Sequence, residues 1–363
     1  MTLPNSQHQY QLVRQAKGFS LQLREGAPIR APGPREVLVQ VRATSLNRRD
    51  VSILRGFYPI ANRDTLVPLS DGAGEVVAIG TGTTRFKVGD RVAAIFFQNW
   101  MSGHPSAQTG ASALGGALDG MLAQYVTLSE EGLVPIPAHL SYEDAACLPC
   151  AAVTAWHGLV SRGHLQPGDN VLLQGTGGVS IFGLQIAKAA GAKPLITSSS
   201  DAKLERARGM GAVATINYKA TPEWGKAVIA ATGGVGAHQV LEVGGAGTLP
   251  QSLAGIAPGG HIALIGGLSG FGGDIPAGSL VGRNAGVTGI FVGSRADFEA
   301  LNAFLAKHAI KPVIDRVFPF AEAEAAYAWM DTGNHFGKVV IRLGCANCSN
   351  ASAPPGARWW PRS

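Results

Sequence analysis

The sequence predicts an α/β protein in which a doubly wound parallel sheet is inserted in a β-rich domain. Three observations carry that expectation. Beyond about residue 141, short apolar runs alternate with segments of helical length, the pattern of parallel strands buried on both faces. One of those runs, "VLLQGTGGVSIFG", breaks into glycines and resumes with helical spacing. The closing run, "HFGKVVIRL", has the character of the first third of the chain, and so is expected to return to the first domain.

Before residue 141 the strand candidates are "EVLVQVRATSL", "GAGEVVAIG" and "KVGDRVAAIFF", punctuated by "APGPR" and "TGTTRFKVGD", where Pro and Gly set the turns. A stretch of small and polar residues, 98–120, separates them from the strand expected in "MLAQYVTL"; a loop of that length inside a compact domain is usually functional or mobile. "SYEDAACLPCAAVTAWHGLV" opens with Ser-x-x-Asp, a helix-capping pattern, and runs on as a helix. After "QPGD" come the alternating elements "NVLLQG", "GVSIFGLQIAKAAG", "PLITSSS", "DAKLERARGMG", "VATIN", "PEWGKAVIAATGG", "HQVLEVGG", "TLPQSLAGIA" and "GHIALIGG", which make this part a Rossmann domain. "SRADFEALNAFLAKHAI" reads as a helix, and "PVIDRVFPFAEAEAAYAWMDTG" as a strand followed by a helix. The expected division is 1–140 with 293–343 for the β-rich domain, 141–292 for the Rossmann domain, and a disordered tail at 344–363, low in helix or strand pattern and rich in small residues and proline.

Composition narrows the class. Hydrophobic residues are 46% of the 363, charged residues 15%, and no apolar run is long enough to span a bilayer, so a soluble, cytoplasmic, non-membrane protein is expected. Net charge is +6, with nine Arg or Lys against three acids in residues 1–60. Those basic residues are dispersed, without aromatic interleaving or a nucleic-acid-binding motif, which reads as a solvated basic face rather than a nucleic-acid surface. The four cysteines form two Cys-x-x-Cys pairs, Cys147 with Cys150 and Cys345 with Cys348. The first pair lies in an apolar run, where cysteine packs like a small hydrophobe, and the second begins the tail; neither context suits a four-thiolate zinc site or a redox pair.

The glycine turn carries the first chemistry. Between a buried strand and a helix, Gly175 makes the turn, with Thr176 next in it, and Gly177 and Gly178 allow a pyrophosphate to approach the backbone. Thr176 and Val179 are also expected to contact the cofactor. Ser180 takes the third glycine position, where the need is close helix–strand packing. One strand later, an enzyme using NAD would carry an acid for the ribose 2′-hydroxyl. Here the run is "TSSSDAK": Ser198, Ser199 and Lys203 suit a dianionic 2′-phosphate, which argues for NADP(H) over NAD(H), with Asp201 the residue that would serve NAD instead. The same serines also suit a helix cap before Asp201.

Taken together, "ATSLNRRDVSILRGFYP", "PLSDGAGEVVAIGTGTTRFKVGDRV", "LPCAAVTAW", "QGTGGVS", "INY" and "HFGKVVI" resemble the zinc-free, quinone-oxidoreductase-like branch of the medium-chain dehydrogenase/reductase superfamily, over about residues 11–343. The resemblance implies a GroES-like catalytic domain around the Rossmann domain. It places the first ligand of the catalytic zinc of metal-dependent relatives on Asn47 and the histidine ligand on Ser70, leaving Cys150 as the one thiolate. Zinc wants three protein ligands and an open fourth position, and 98–120, where a structural zinc lobe would lie, has no cysteine, so no metal site is expected. By the same resemblance Asn47, Ser52 and Tyr58 are candidate hydrogen-bond donors to the acceptor, and Arg49 with Asp50 an ion pair that holds their loop. Thr154 falls near the nicotinamide amide and Tyr218 near the adenosine phosphate. Gly244 in "VGG", Gly266 in "IGGLSG", and Phe291 and Val292 in "FVGS" follow the cofactor along strand ends, Lys338 reaches it from the returning strand, and Phe97 and Trp100 line the substrate cleft, with His104 either lining it too or on a solvent-facing lid.

Without a Lewis acid the acceptor is polarised by hydrogen bonds alone, which suits quinones, enones and activated aldehydes or ketones better than a simple alcohol. The expectation is therefore a zinc-independent, NADPH-dependent oxidoreductase acting on a small-molecule carbonyl, enone or quinone, as a homodimer by resemblance. An NAD(P)-dependent alcohol dehydrogenase without metal, and a non-catalytic nucleotide-binding protein, stand as alternatives.

Overall fold

The computed structural model describes residues 3–344 apart from 59, 61–62, 271, 273–274 and 276. Cys345, Cys348 and the tail expected beyond them lie outside the described residues.

The β-rich part runs β1 (Ser6–Arg14), β2 (Phe19–Pro28), β3 (Glu36–Leu46), helix α1 (Arg48–Leu54), β4 (Thr65–Leu66), β5 (Asp71–Ile79), β6 (Arg91–Ala94), β7 (Tyr125–Ser129) and β8 (Leu133–Pro135). The strand expected in "MLAQYVTL" begins only at Tyr125. There follow α2 (Tyr142–Ala146), α3 (Val153–Trp156), β9 (Asn170–Gln174), α4 (Gly178–Ala189), β10 (Lys193–Ser198), α5 (Asp201–Met210), β11 (Ala214–Asn217), α6 (Trp224–Ala231), β12 (Ala237–Glu242), α7 (Leu249–Gly255), β13 (Ile256–Leu264), α8 (Ala277–Arg283) and β14 (Gly286–Gly289). The chain closes with α9 (Arg295–Lys307), β15 (Ile314–Pro319), α10 (Ala323–Asp331) and β16 (Lys338–Arg342).

The second sheet is parallel throughout, in the order β11-β10-β9-β12-β13-β14, the doubly wound arrangement whose switch point lies between β9 and β12. Its centre explains the unbroken apolar run: Val171, Leu172 and Leu173 of β9 are fully buried, covered on both faces by helices. Each such side chain taken out of water contributes about 1.5–3 kcal/mol. In the other large sheet β16 lies antiparallel to β3, pairing Val339 with Leu46 and Ile341 with Thr44, so the last strand does return to the first part.

One core joins the two sheets. Ala43, Ala73 and Val134 from the first share a cluster with Leu173, Leu241 and Ala263 from the second and with Phe298 and Leu301 of α9. Helix α9 touches both α3 and β8. Its start is fixed by a capping box, in which Ser294 Oγ accepts from Asp297 N at 3.2 Å and Asp297 Oδ2 accepts from Ser294 N at 2.8 Å. The Ser-x-x-Asp pattern at residue 141 is likewise a box: Ser141 Oγ accepts from Asp144 N at 3.1 Å, and Asp144 Oδ2 from Ser141 N at 3.0 Å. The helix it starts is not uniform, for 148–152 and 157–161 are wide turns of the kind that recur at functional sites.

Ser180 is nearly fully buried, and its Oγ donates to Gln174 O at 2.6 Å, tying α4 to the strand before it. A tight helix–strand approach lies one turn later. A Cβ on Gly183 would stand 2.7 Å from Leu241 Cδ1 and 2.8 Å from Leu173 Cδ2, so Gly183 takes the packing role that the glycine pattern assigned to position 180. Gly183→Ala gains about 1 kcal/mol of helix propensity but overpacks a buried seam, and a net loss of about 1–2 kcal/mol is expected as a lower Tm. An unchanged Tm would mean that α4 lifts freely from the sheet.

Candidate active site

The crevice at the switch point is open to a dinucleotide at its centre. Gly175 has φ +70°, a left-handed turn that glycine supplies without strain. A Cβ on Gly177 would meet nothing within 4 Å, so a phosphate can approach that backbone, and the 12-residue α4 begins there with its free N–H groups. Gly178 is required for another reason. A Cβ there would stand 2.7 Å from Lys338 Cδ and 3.0 Å from Ala151 Cβ, because the lysine stem passes beneath the turn. Gly337 N donates to Thr176 O at 2.9 Å, bridging the returning strand to the turn, and Val179 packs against the shared core. The turn therefore fits a dinucleotide.

At the end of β10 the serines divide their work. Ser200 caps α5, its Oγ accepting from Lys203 N at 3.4 Å. Ser198 Oγ, buried, accepts from Ser200 N at 3.3 Å, and Ser199 is partly exposed beside it. Asp201 is engaged with Asn217, whose Nδ2 donates to it at 2.7 Å. Lys203 Nζ donates to Gly333 O at 2.8 Å, and burial holds its amine below the usual lysine range. Tyr218, just past the end of the neighbouring β11, is exposed and donates from its N–H to Ser198 O at 3.2 Å.

A buried carboxylate that the sequence reading did not single out shapes the far wall. Glu242, at the end of β12, accepts from Gly244 N (2.9 Å), Gly245 N (3.0 Å), Gln174 Nε2 (2.6 Å), Ser252 Oγ (2.5 Å) and Thr248 Oγ1 (2.5 Å). It fixes the "VGG" turn from below. The one acid in the apolar run "HQVLEV" was the available signal. Gly266 follows on the neighbouring strand end, where a Cβ would stand 2.7 Å from Val243 O.

Facing the crevice from the first domain is a polar cluster built by the β3, β5 and β16 ends. Lys338, 2% exposed, donates from Nζ to Asn47 Oδ1 at 2.6 Å, to Leu46 O at 2.8 Å and to Asp71 Oδ2 at 3.3 Å. Asn47 Nδ2 donates to Asp71 Oδ2 at 2.9 Å, Ser45 Oγ to the same oxygen at 3.1 Å, and Ser70 Oγ to Asp71 Oδ1 at 2.8 Å. The Asp71 carboxylate is thus buried with four donors, one of them an ammonium.

Among the described residues these positions bring together no three-ligand set for zinc. At the positions the resemblance gives to zinc ligands stand an amide, a hydroxyl that donates to Asp71, and the Cys150 thiol, which burial pushes above the usual thiol range. The amide oxygen already holds the Lys338 ammonium. Among the described residues no cluster of three His, Cys, Asp or Glu side chains could hold a metal ion. Cys147 is also pushed up by burial and donates to Glu143 O, so the Cys-x-x-Cys pair is packing rather than redox.

The other donor candidates are less engaged with this cluster. Ser52 Oγ donates to Arg48 O within its own helix, and the Thr154 hydroxyl to Cys150 O at 2.6 Å. Tyr58 is exposed over the Arg49 guanidinium at 5.3 Å. Arg49 and Asp50 do not make the ion pair expected of them. Arg49 donates to Leu114 O and stacks on Phe96, while Asp50 Oδ2 accepts from Asn47 N at 2.7 Å and so starts α1 behind the site. Asp50 is fully enclosed and Oδ1 has no partner; burial raises its carboxyl from 3.8 to about 6, against the pull of Arg49. A carboxyl raised in the fold binds its proton more tightly there than unfolded, so this group's stabilisation is full below about pH 4 and is lost as pH rises through about 6. Asp50→Asn should therefore gain Tm over the parent progressively across that window and keep the gain above it. Parallel pH–Tm curves would refute the assignment.

An aromatic wall completes the cleft. Phe96 and Phe97 pack edge to face at 4.6 Å, Phe97 lies 5.6 Å from the exposed Phe291, and Trp100 meets His157 edge-on at 5.6 Å. His157 Nδ1 is 2.8 Å from Phe291 O, and Val292 and Cys150 back the group. The 98–120 segment is tied down rather than free: Trp100 O and Met101 O accept from Arg295 N and Ala296 N, both at 2.9 Å. His104 is exposed. No helix among the described residues is long and apolar enough to cross a membrane.

Comparison with known proteins agrees with this architecture. Residues 33–138 match the alcohol dehydrogenase GroES-like domain family and residues 178–307 the zinc-binding dehydrogenase family. A zinc-type alcohol dehydrogenase-like protein of Schizosaccharomyces pombe is 47% identical over 85% of this chain and 91% of its own, and one of Leptosphaeria maculans 35% identical over 86% and 92%. A solved structure from Sinorhizobium meliloti 1021, provisionally described as an alcohol dehydrogenase, superposes with TM-score 0.88 at 41% identity over 94% of this chain and 100% of that one. A 2-octenoyl-CoA carboxylase reductase solved with NADP superposes at 0.83 and 26% identity over 94% and 88%. The chain belongs to the medium-chain dehydrogenase/reductase superfamily.

Proposed function

We propose that this protein is a zinc-independent, NADPH-dependent oxidoreductase that reduces a quinone, an enone or an activated aldehyde or ketone. The observation that carries the proposal is the Lys338 ammonium seated on Asn47 and Asp71, at the position where a metal-dependent relative needs ligands. The dinucleotide, held along 175–179, Gly244 and Gly266 with its 2′-phosphate at Ser198, Ser199 and Lys203, supplies the hydride. Tyr218 edges the adenosine side, and Thr154, Phe291 and Val292 border the nicotinamide end.

Asn47 is the donor to the acceptor oxygen. One Nδ2 hydrogen is spent on Asp71, which leaves the other. Lys338 on Oδ1 withdraws charge through the amide, strengthening that remaining N–H as a donor. An amide N–H stabilises a developing oxyanion but cannot take a proton from an alcohol, so the geometry favours reduction of acceptors that need little activation. Ser52 and Tyr58, at the rim, are further donors to a bulkier acceptor. The apolar wall of Phe97, Trp100 and Phe291 suits a flat, conjugated one. Among the described residues no strand pairs with the outer edge of β14, which supports a homodimer built by strand pairing.

A panel of NADPH with a quinone, an enone and an aldehyde, against NADP with a simple alcohol, tests the assignment. Turnover of a conjugated acceptor is expected to exceed alcohol oxidation by about a hundredfold, roughly 3 kcal/mol of barrier. Alcohol oxidation as the fastest reaction would overturn it, and tight NADPH binding with no turnover would favour the non-catalytic alternative.

A further inference from the structure

The segment 333–338 straps the cofactor crevice, and its ends are tied to the Rossmann part: Lys203 Nζ to Gly333 O at 2.8 Å, and Gly337 N to Thr176 O at 2.9 Å. Between them Phe336 N donates to Asp315 Oδ1 at 3.1 Å, and the Arg206 guanidinium lies 4.2 Å over the Phe336 ring. His335 sits inside this strap, 9% exposed, with a buried Nδ1 that has no partner. The charges that act on it come from four elements: Lys203 of α5, Lys338 of β16 and Arg48 of α1, against the acid Asp315 of β15. Burial, with those cations, pushes the imidazole down to about 4, so it is neutral at physiological pH. Arg48 is itself paired with Asp331 at 3.3 Å.

We propose that His335 is a ligand to a phosphate group of the bound dinucleotide and takes up a proton as that phosphate arrives. The proposal rests on the dinucleotide reading of the 175–178 turn. A neutral imidazole with an unpartnered nitrogen, beside two lysines and an arginine, is a site built for an anion. A phosphate among them replaces cation repulsion with attraction, the proton comes from bulk solvent, and the ring then donates a charge-assisted hydrogen bond. The phosphate is either the 2′-phosphate or the pyrophosphate; the two sources share this chemistry.

The test is calorimetric binding of NADPH and of NADH, from about pH 6 to 8, in two buffers of different ionisation enthalpy, to the parent, His335→Leu and His335→Asn. The parent is expected to take up protons on binding. His335→Leu should bind about tenfold more weakly and lose the uptake, whereas His335→Asn, which keeps a donor near Nδ1, should recover affinity at the alkaline end without the uptake. Uptake with NADPH alone assigns the 2′-phosphate, and uptake with both assigns the pyrophosphate; either supports the proposal. Equal affinity and equal proton uptake in parent and His335→Leu would overturn it while leaving the cofactor reading intact. Failure of the parent to bind either nucleotide would remove the cofactor reading and this proposal with it.

Discussion

Lys338→Met is expected to be the most damaging single change in the molecule. It keeps the stem that passes under Gly178 but leaves the Asp71 carboxylate, fully buried, without its cation, and losing one partner of a buried pair costs about 3–5 kcal/mol. It also releases Asn47 Oδ1, so kcat for the conjugated acceptor should fall together with Tm. The double variant Lys338→Met with Asp71→Asn removes both charges and should recover much of the lost stability while activity stays low. A Lys338→Met protein with parental Tm would show that the ammonium does not compensate Asp71.

The second large effect is on cofactor choice. Ser198→Asp with Lys203→Ala places an acid where the ribose 2′-substituent is read and removes the nearby cation. The two changes should move the ratio of kcat/KM for NADPH over NADH by at least about a hundredfold towards NADH, because a carboxylate then repels the 2′-phosphate and the ammonium that attracts it is gone. An unchanged ratio would mean that the 2′-phosphate lies elsewhere along the crevice.

Much of the fold was legible because its signals are local. "EVLVQVRATSL" is β3 from first residue to last, and the Ser141 cap and the parallel alternation after residue 170 follow from side-chain chemistry within a few residues. The glycine turn was legible for the same reason. What sequence reading missed depends on distant pairings. Lys338 reaches Asn47 across 291 residues only because β16 lies antiparallel to β3 in one register, which no local pattern encodes. Arg49 and Asp50 look like an ion pair as neighbours, yet one is drawn to Leu114 O and the aromatic wall and the other to the backbone of Asn47. Gly183 was passed over because its need comes from Leu241, a residue of another strand. His335 gave no signal at all until the strap brought three cations around it.

The central claim is that the Lys338 ammonium and the Asn47 amide stand in place of a metal. Its most direct test is the zinc content of the purified enzyme, measured by elemental analysis alongside NADPH-dependent turnover before and after exhaustive chelation and again after adding zinc. The proposal predicts undiminished turnover with well under about a tenth of an equivalent of zinc per chain, since a single thiol without two further ligands beside it does not hold the ion. Turnover that falls with the zinc removed and returns in proportion to the zinc restored would contradict it.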